Sequence, residues 1–334
     1  MGSIRDHGFR VEVFDTTSDE RHARLAQAGV TVTSLRWDGS FASARNRALE
    51  SMQLRRSGEY VLWIDSDERL RVPPSEQSLK ALDSRTVACP RIKDTDFETQ
   101  GVARVHKIKG FVFDGLVHEY LKTVDGDPAI HRSDPALIEH DGYSNWDRRP
   151  RNDRLLRRQI ALEPENLRWR PFWVRDSGQS LSDREIARAI REQAALPTWC
   201  PELGGLTPSE YMRMIAWHGA WHLISRGSSR LVGPALSRFH LGDDESASEV
   251  LYLRLIAEAI SGHIADSLID EAFAFRSRTL DRDDEFPWLD AGVAVALEAA
   301  GRRSEADIYR SASPAFNDPF CEDSRLRPSF MTGR

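Results

Sequence analysis

The sequence predicts an α/β domain followed by an all-α domain of helical hairpins. Three observations carry this expectation. Strand and helix signals alternate over residues 10–64, the order that builds a parallel α/β sheet. From about Glu163 nearly every periodic segment has helical spacing. Within the first half an apolar run empties into the acidic cluster Trp63-Ile64-Asp65-Ser66-Asp67-Glu68. Active sites of open α/β sheets lie just beyond such carboxyl ends of strands.

Taken in order, residues 10–14 alternate apolar and polar side chains and predict a strand. Asp15-Thr16-Thr17-Ser18-Asp19 supplies turn residues and N-cap candidates. A helix is expected over 20–28, with Leu25 and Ala28 on one face and Gly29 as its C′ glycine. Residues 30–35 predict a second strand. Ser40 is placed to cap a helix reaching about Met52, because Ala44, Ala48 and Met52 recur every four positions. The continuous apolar run over 60–64 fits a strand covered on both faces. Beyond Ala88 the pattern is irregular, with short strands expected at 103–108 and 116–120 and a helix at 151–162. Helices are then expected over 183–194, 208–225, 247–260, 265–278, 288–300 and 304–313. Breaks fall at Pro197, Gly227, Gly242, Pro287, Gly301 and Pro314. The last two helices, joined by Gly301-Arg302-Arg303, resemble one hairpin of a tetratricopeptide-type array. The composition shift places the boundary at Glu163–Trp169: residues 1–165, then 166–317, then a disordered tail over 318–334.

Composition narrows the function classes. Of 334 residues, 40% are hydrophobic and 29% charged, which excludes collagenous and largely disordered chains. No apolar run approaches the ~20 residues of a membrane span, and the charged start lacks the apolar core of a secretory signal. A net charge of -6 implies no general affinity for nucleic acid or membrane surfaces. Cys89, Cys200 and Cys321 are scattered, which suits a reducing cytosol. The basic residues are almost all arginine, with every lysine between Lys80 and Lys122. That bias fits either GC-rich coding or phosphate-binding guanidinium forks.

The acidic cluster is the sharpest chemical signal. In an extended chain Asp65 and Asp67 project to the same face. Paired carboxylates repel unless a cation lies between them, and hard oxygen donors suit Mg²⁺ or Mn²⁺. A solvated turn after a strand is the plain alternative. Context adds Asp15, also at a strand end, and Trp37-Asp38-Gly39-Ser40-Phe41-Ala42-Ser43-Ala44-Arg45-Asn46. Further on stand Gly115-Leu116-Val117-His118-Glu119, then Ile138-Glu139-His140-Asp141-Gly142-Tyr143, then Arg151-Asn152-Asp153-Arg154-Leu155-Leu156. Read together as DTTSDE, WDGSFASARN, WIDSDE, a G-x-x-H-E element and an I-x-H-x-G-Y element, these resemble the inverting glycosyltransferases of family 2. The resemblance covers residues 11–160, and the nearest subgroup appends a helical, repeat-like domain.

That resemblance implies a GT-A fold (nucleotide-diphospho-sugar transferase, Rossmann-like) and a nucleotide-sugar donor, UDP-linked by the same analogy. It implies that Asp15 contacts the uracil or ribose; a helix N-cap is the alternative. Arg45, in a first helical turn that favours anions, would approach the donor diphosphate; a surface arginine is the alternative. Asp65 would serve the donor, and Asp65, Asp67 and His140 would hold Mn²⁺ or Mg²⁺, with a purely structural His140 as the alternative. Glu119 would be the catalytic base, with His118 orienting it or contacting phosphate; a polar turn is the alternative for this pair. The acceptor would be a saccharide or a peptide or protein side chain. Family members place a strand, an N-E turn and a helix before the D-x-x-S-x-D strand, and only nine residues precede it here. Either the start lies upstream, or the domain is a truncated scaffold whose helical half binds a peptide or protein partner. The arginine run from Arg148 to Arg158 reads as a solvated helix face or as a basic rim for an anion. Trp199, Trp217, Trp221 and Trp288 are expected in the helical core. His218 and His222 have metal-ligand spacing without the glutamate of a metalloprotease and read as structural.

Overall fold

The computed structural model describes residues 7–16, 30–55, 58–93, 98–126, 130–140, 149–197, 206–239, 245–278 and 287–312. The helix expected over 20–28, the tail from Asp318, Trp199, Cys200 and Cys321 lie outside them. The protein is mixed α/β, and contacts divide it into two compact units. One is Met1–Gln159 with Pro201–Leu206, and the other is mainly Ile160–Cys200 with Thr207–Thr332. Among the described residues no helix is long and apolar enough to cross a membrane.

In the first unit, β1 (Glu12–Asp15) and β2 (Thr31–Ser34) pair in parallel, with Asp15 opposite Ser34. Helix α1 (Phe41–Arg55) begins where the spacing predicts, and Ser40 Oγ accepts the Ser43 N–H at 3.1 Å. Its face of Ala42, Ala48, Leu49 and Met52 is buried. A six-stranded sheet follows, built from β3 (Tyr60–Leu62), β4 (Glu68–Val72), β5 (Thr86–Lys93), β6 (Glu98–Thr99), β7 (Val105–Lys107) and β10 (Ile130–His140). Its order is β3-β7-β5-β10-β4, with β6 on β5. The all-parallel sheet expected from the sequence is not what forms: in this sheet only β5 and β10 run parallel. The reason lies in the connections. Parallel neighbours need a crossover of a dozen or more residues, and β6 and β7, which pair with β5, both begin within that span after Lys93, while α2 (Glu76–Lys80) precedes β5. The long excursion from Lys93 to Ile130 permits the one parallel pair.

That excursion carries a hairpin of β8 (Phe111–Asp114) and β9 (Tyr120–Thr123), joined by residues 115–119. The strand expected at 116–120 is therefore mostly this loop. Phe111, Phe113 and Leu121 pack with Ala42, Leu49, Met52 and Val87 in one core cluster, against which Phe14, Val61 and Trp63 also rest. Helix α3 (Arg149–Leu162) leaves this unit. Its Leu155 and Leu156 are buried, while Arg154, Arg157 and Arg158 are exposed as on a solvated face.

The described elements of the second unit are helices: α4 (Trp169–Ser177), α5 (Asp183–Ala194), α6 (Pro208–Ser225), α7 (Val232–Leu236), α8 (Glu245–Ser261), α9 (Asp266–Arg278), α10 (Pro287–Ala299) and α11 (Arg303–Ala312). Helix α4, which the sequence pattern does not resolve, is buried nearly all round and so lacks an amphipathic period. Ser182 with Glu185, and Thr207 with Glu210, form reciprocal capping boxes at the starts of α5 and α6. The hairpin of α10 and α11 turns at Gly301 (φ +78°), where Arg302 N–H bonds Leu297 C=O and Gly301 N–H bonds Glu298 C=O. This is the left-handed stop that glycine permits. Leu251, Leu255, Ile269, Leu289, Val293 and Leu297 centre the core of this end. Trp217 is buried against Tyr252 and Trp288. Trp221, expected beside it, is 43% exposed.

Candidate active site

The site grows from four pieces of the first unit. The loop before α1 is set by Gly39 (φ +84°) and by Ser43 Oγ donating to Asp38 Oδ2 at 2.6 Å. One turn into the helix, Asn46 acts as a peptide group would. Its Nδ2 donates to Phe113 C=O at 2.9 Å, and its Oδ1 accepts Phe113 N–H at 2.7 Å. Phe41 N–H bonds Leu116 C=O at 3.0 Å, and Leu116 N–H bonds Gln159 Oε1 at 2.9 Å. Helices α1 and α3 thus clamp the 115–119 loop. Within it His118 has φ +51°, the only positive φ of a non-glycine among the described residues. Such strain persists where the surroundings over-determine it, and it clusters at functional sites.

The clamp brings Arg45 to Glu119. Arg45 Nε donates to Glu119 Oε1 at 2.5 Å, and its Nη2 donates to Asp65 Oδ1 at 3.2 Å. The guanidinium lies over Trp63 (5.0 Å to the ring centre) and Phe113 (5.4 Å), within cation–π range. Trp63 is itself fixed, because its Nε1–H donates to His106 Nε2 at 2.8 Å. That bond makes Nε2 an acceptor, so the ring proton sits on Nδ1 and reaches Lys107 C=O at 2.6 Å. Burial pushes the His106 imidazole down to about 4, so it is neutral at pH 7.

The acidic cluster does not stay extended. Glu68 N–H bonds Asp65 C=O at 3.0 Å, and Asp65 N–H bonds Glu68 Oε2 at 2.7 Å, which closes a turn over 65–68. Asp65 and Asp67 therefore do not share the face that strand alternation would give them. Arg104, which no sequence motif marks, donates from Nη2 to Asp65 Oδ2 at 3.1 Å and to the buried Glu68 Oε1 at 2.7 Å. Burial works against the Asp65 charge, but Arg104 and Arg45 more than offset it and hold the carboxyl well below the usual carboxylate range. Burial pushes Glu68 up, Arg104 opposes this, and the neighbouring Asp65 charge adds to it.

Asp67 turns the other way. Strand β10 runs antiparallel to β4 with His140 opposite Glu68, and His140 Nε2 reaches Asp67 Oδ2 at 3.4 Å. Adjacent ligands of an octahedral ion at 2.0–2.1 Å stand about 3.0 Å apart, so this pair fits one metal with a small adjustment. Asp65, with a guanidinium on each oxygen, does not fit as a third ligand in this arrangement. Among the described residues no three His, Cys, Asp or Glu side chains gather to hold a metal. An ion here would complete its shell from water and phosphate, as Mg²⁺ commonly does.

Arg45, Asp65, Glu119 and its neighbour His118 are thus brought together, and Asp67 meets His140. Asp15 ends β1 in the two-stranded β1–β2 sheet, where its C=O accepts Leu35 N–H at 2.7 Å, and Phe14 beside it rests on the same core cluster as Trp63. Asp141, Gly142 and Tyr143 lie outside the described residues. His218 and His222 belong to the second unit. Burial pushes His218 down to about 3, and His222 packs against Gly178 so closely that a Cβ there would lie 2.2 Å from its ring. Compared with known proteins, the sequence matches no family model and no curated protein.

Proposed function

We propose that the first unit is the catalytic domain of a metal-dependent inverting glycosyltransferase of the GT-A type, using a nucleotide-sugar donor. One observation carries this reading. Arg45, Asp65 and Glu119, drawn from three motifs far apart in sequence, meet through a single guanidinium. The acceptor oxygen or sulfur would attack the anomeric carbon from the face opposite the diphosphate. The new glycosidic bond forms as the carbon–oxygen bond to the diphosphate breaks, and the diphosphate leaves with the electron pair. Glu119 takes the acceptor proton, and the strained His118 peptide fixes where its carboxylate points. Arg45 and Arg104 supply fixed positive charge beside the leaving group. A divalent cation bound by Asp67 and His140 would supply further charge neutralisation there.

The test is a melting-temperature panel of uridine, guanosine, cytidine and thymidine diphosphates, each with and without Mn²⁺. A ligand at 100 times its Kd stabilises by about 2.7 kcal/mol, a readily measured shift. One nucleotide should stabilise strongly, and only with Mn²⁺. No shift with any nucleotide overturns the reading.

A further inference from the structure

We infer that Arg45 is a latch on the catalytic base, released by the donor's diphosphate; this rests on the function proposed above. The geometry is specific. One guanidinium joins Glu119 through Nε and Asp65 through Nη2, at 2.5 and 3.2 Å. Glu119 is only 13% exposed and Arg45 18%, whereas the Asp65 side chain is 46% exposed. The open side of the cluster is therefore the Asp65 side, where a dianionic group can approach the guanidinium.

A charge-assisted bond this short occupies Glu119 Oε1 and fixes how the carboxylate is turned, so in this state that oxygen is not available to an acceptor proton. A diphosphate offers more negative charge than one carboxylate and matches the guanidinium fork in a bidentate way. Trp63 and Phe113, set edge to face at 88°, form an apolar corner against the guanidinium at 5.0 and 5.4 Å, which holds it by cation–π contact independently of the Glu119 bond. Asp65 keeps its second partner, Arg104 Nη2, when Arg45 leaves. Glu68 in turn anchors Arg104 from a buried position. The cluster is thus built to give up the two Arg45 bonds and keep those of Arg104. The consequence is order: the base is freed only once the donor is seated.

The experiment follows the Arg45 Nε–H proton by NMR in the full chain with isotopically labelled arginine. A short bond to a carboxylate moves that resonance to low field and slows its exchange. Arg45→Lys and Glu119→Gln, both checked for an unchanged melting profile, assign it by its loss. Titration with the nucleoside diphosphate that stabilises the protein, plus Mn²⁺, should abolish the low-field signal in step with calorimetric binding. Carbodiimide labelling of Glu119, read by mass spectrometry, should rise several-fold over the same titration. In Arg45→Lys that labelling should already be high without nucleotide. A nucleotide that binds tightly while the signal persists and labelling stays flat overturns the latch and leaves the glycosyltransferase reading standing. Absence of binding by any of the four diphosphates overturns both.

Discussion

Asp67 and His140 approach to 3.4 Å, while each oxygen of Asp65 accepts from an arginine. Their roles should therefore separate on mutation. Asp67→Ala and His140→Ala should each weaken Mn²⁺ affinity in the presence of nucleotide by at least ~10-fold, the scale on which metal sites respond even to outer-shell changes. Asp65→Asn should leave Mn²⁺ affinity near that of the parent and weaken nucleotide binding instead. Paramagnetic titration of free Mn²⁺ reads the first quantity and calorimetry the second; equal losses of Mn²⁺ affinity in all three variants would return Asp65 to the ligand set. Glu119→Gln preserves size and most hydrogen bonding but cannot take a proton. Transfer should fall by ~10²–10⁴-fold with donor affinity nearly unchanged, and a variant with parent-like turnover would remove Glu119 from the chemistry. The family resemblance names Arg45, Asp65, Asp67, Glu119 and His140, and Asp65 and Asp67 are also marked by the apolar run that precedes them. Arg104 and His106 are not legible that way. They precede and occupy a three-residue strand whose neighbours, β3 and β5, are fixed only by tertiary pairing.

At the scale of elements, what positions the site is the joint between α1 and β8. Asn46 makes both bonds to Phe113 that a neighbouring strand would make. Asn46→Leu is close in size but leaves that N–H and C=O without these partners, which costs ~1–3 kcal/mol for an unsatisfied buried group. Stability to denaturant should fall by about that much, and the Arg45–Glu119 bond should loosen with it. The second unit offers an independent case. A Cβ on Gly219 of α6 would lie 2.6 Å from Ile190 Cδ1 on α5. Gly219→Ala should therefore destabilise by ~1–3 kcal/mol through overpacking, despite alanine's better helix propensity. Ile190→Val, which trims the crowding Cδ1, should cost less in the Gly219→Ala background than in the parent, a coupling that a purely local helix effect would not give. Helix α5 is legible because its buried Ile186, Ala187, Ala189, Ile190 and Gln193 recur at helical spacing. The 65–68 turn is not, because residues Ser66-Asp67-Glu68 are compatible with an extended end as well as a turn. What decides between them is Glu68, buried beneath Arg104.

On the scale of the whole molecule, the two units have separate cores, one built around the β8–β9 hairpin and one around α8, α9 and α10. The sequence changes pattern near Glu163, where a helical period replaces a strand period, and contacts divide the chain between Gln159 and Ile160. Sheet order was beyond reach, because pairing among β5, β7 and β10 is set by long-range contacts with no local signature. Each unit also buries a histidine in its neutral form, which gives the molecule an acid limit to its stability. His106 in the first unit is held at about 4 and His218 in the second at about 3, both below the ordinary 6.5, with burial the leading cause. A folded-state value below the unfolded one means the unfolded chain binds the proton more readily. The contribution is therefore fully present above about pH 6.5 and is lost as pH falls through the folded values. For the fully buried His106 the 6.5-to-4 interval corresponds to ~3 kcal/mol. His106→Gln removes the titration while retaining an amide that can accept from Trp63 Nε1–H. Denaturant unfolding at intervals from pH 7 to 4, followed by tryptophan fluorescence, should show the parent losing stability faster than His106→Gln across that range. The variant should be the less stable of the two at pH 7, and the gap should close by pH 4. A gap constant over the whole range would mean that His106 contributes packing alone and that the acid limit is set elsewhere.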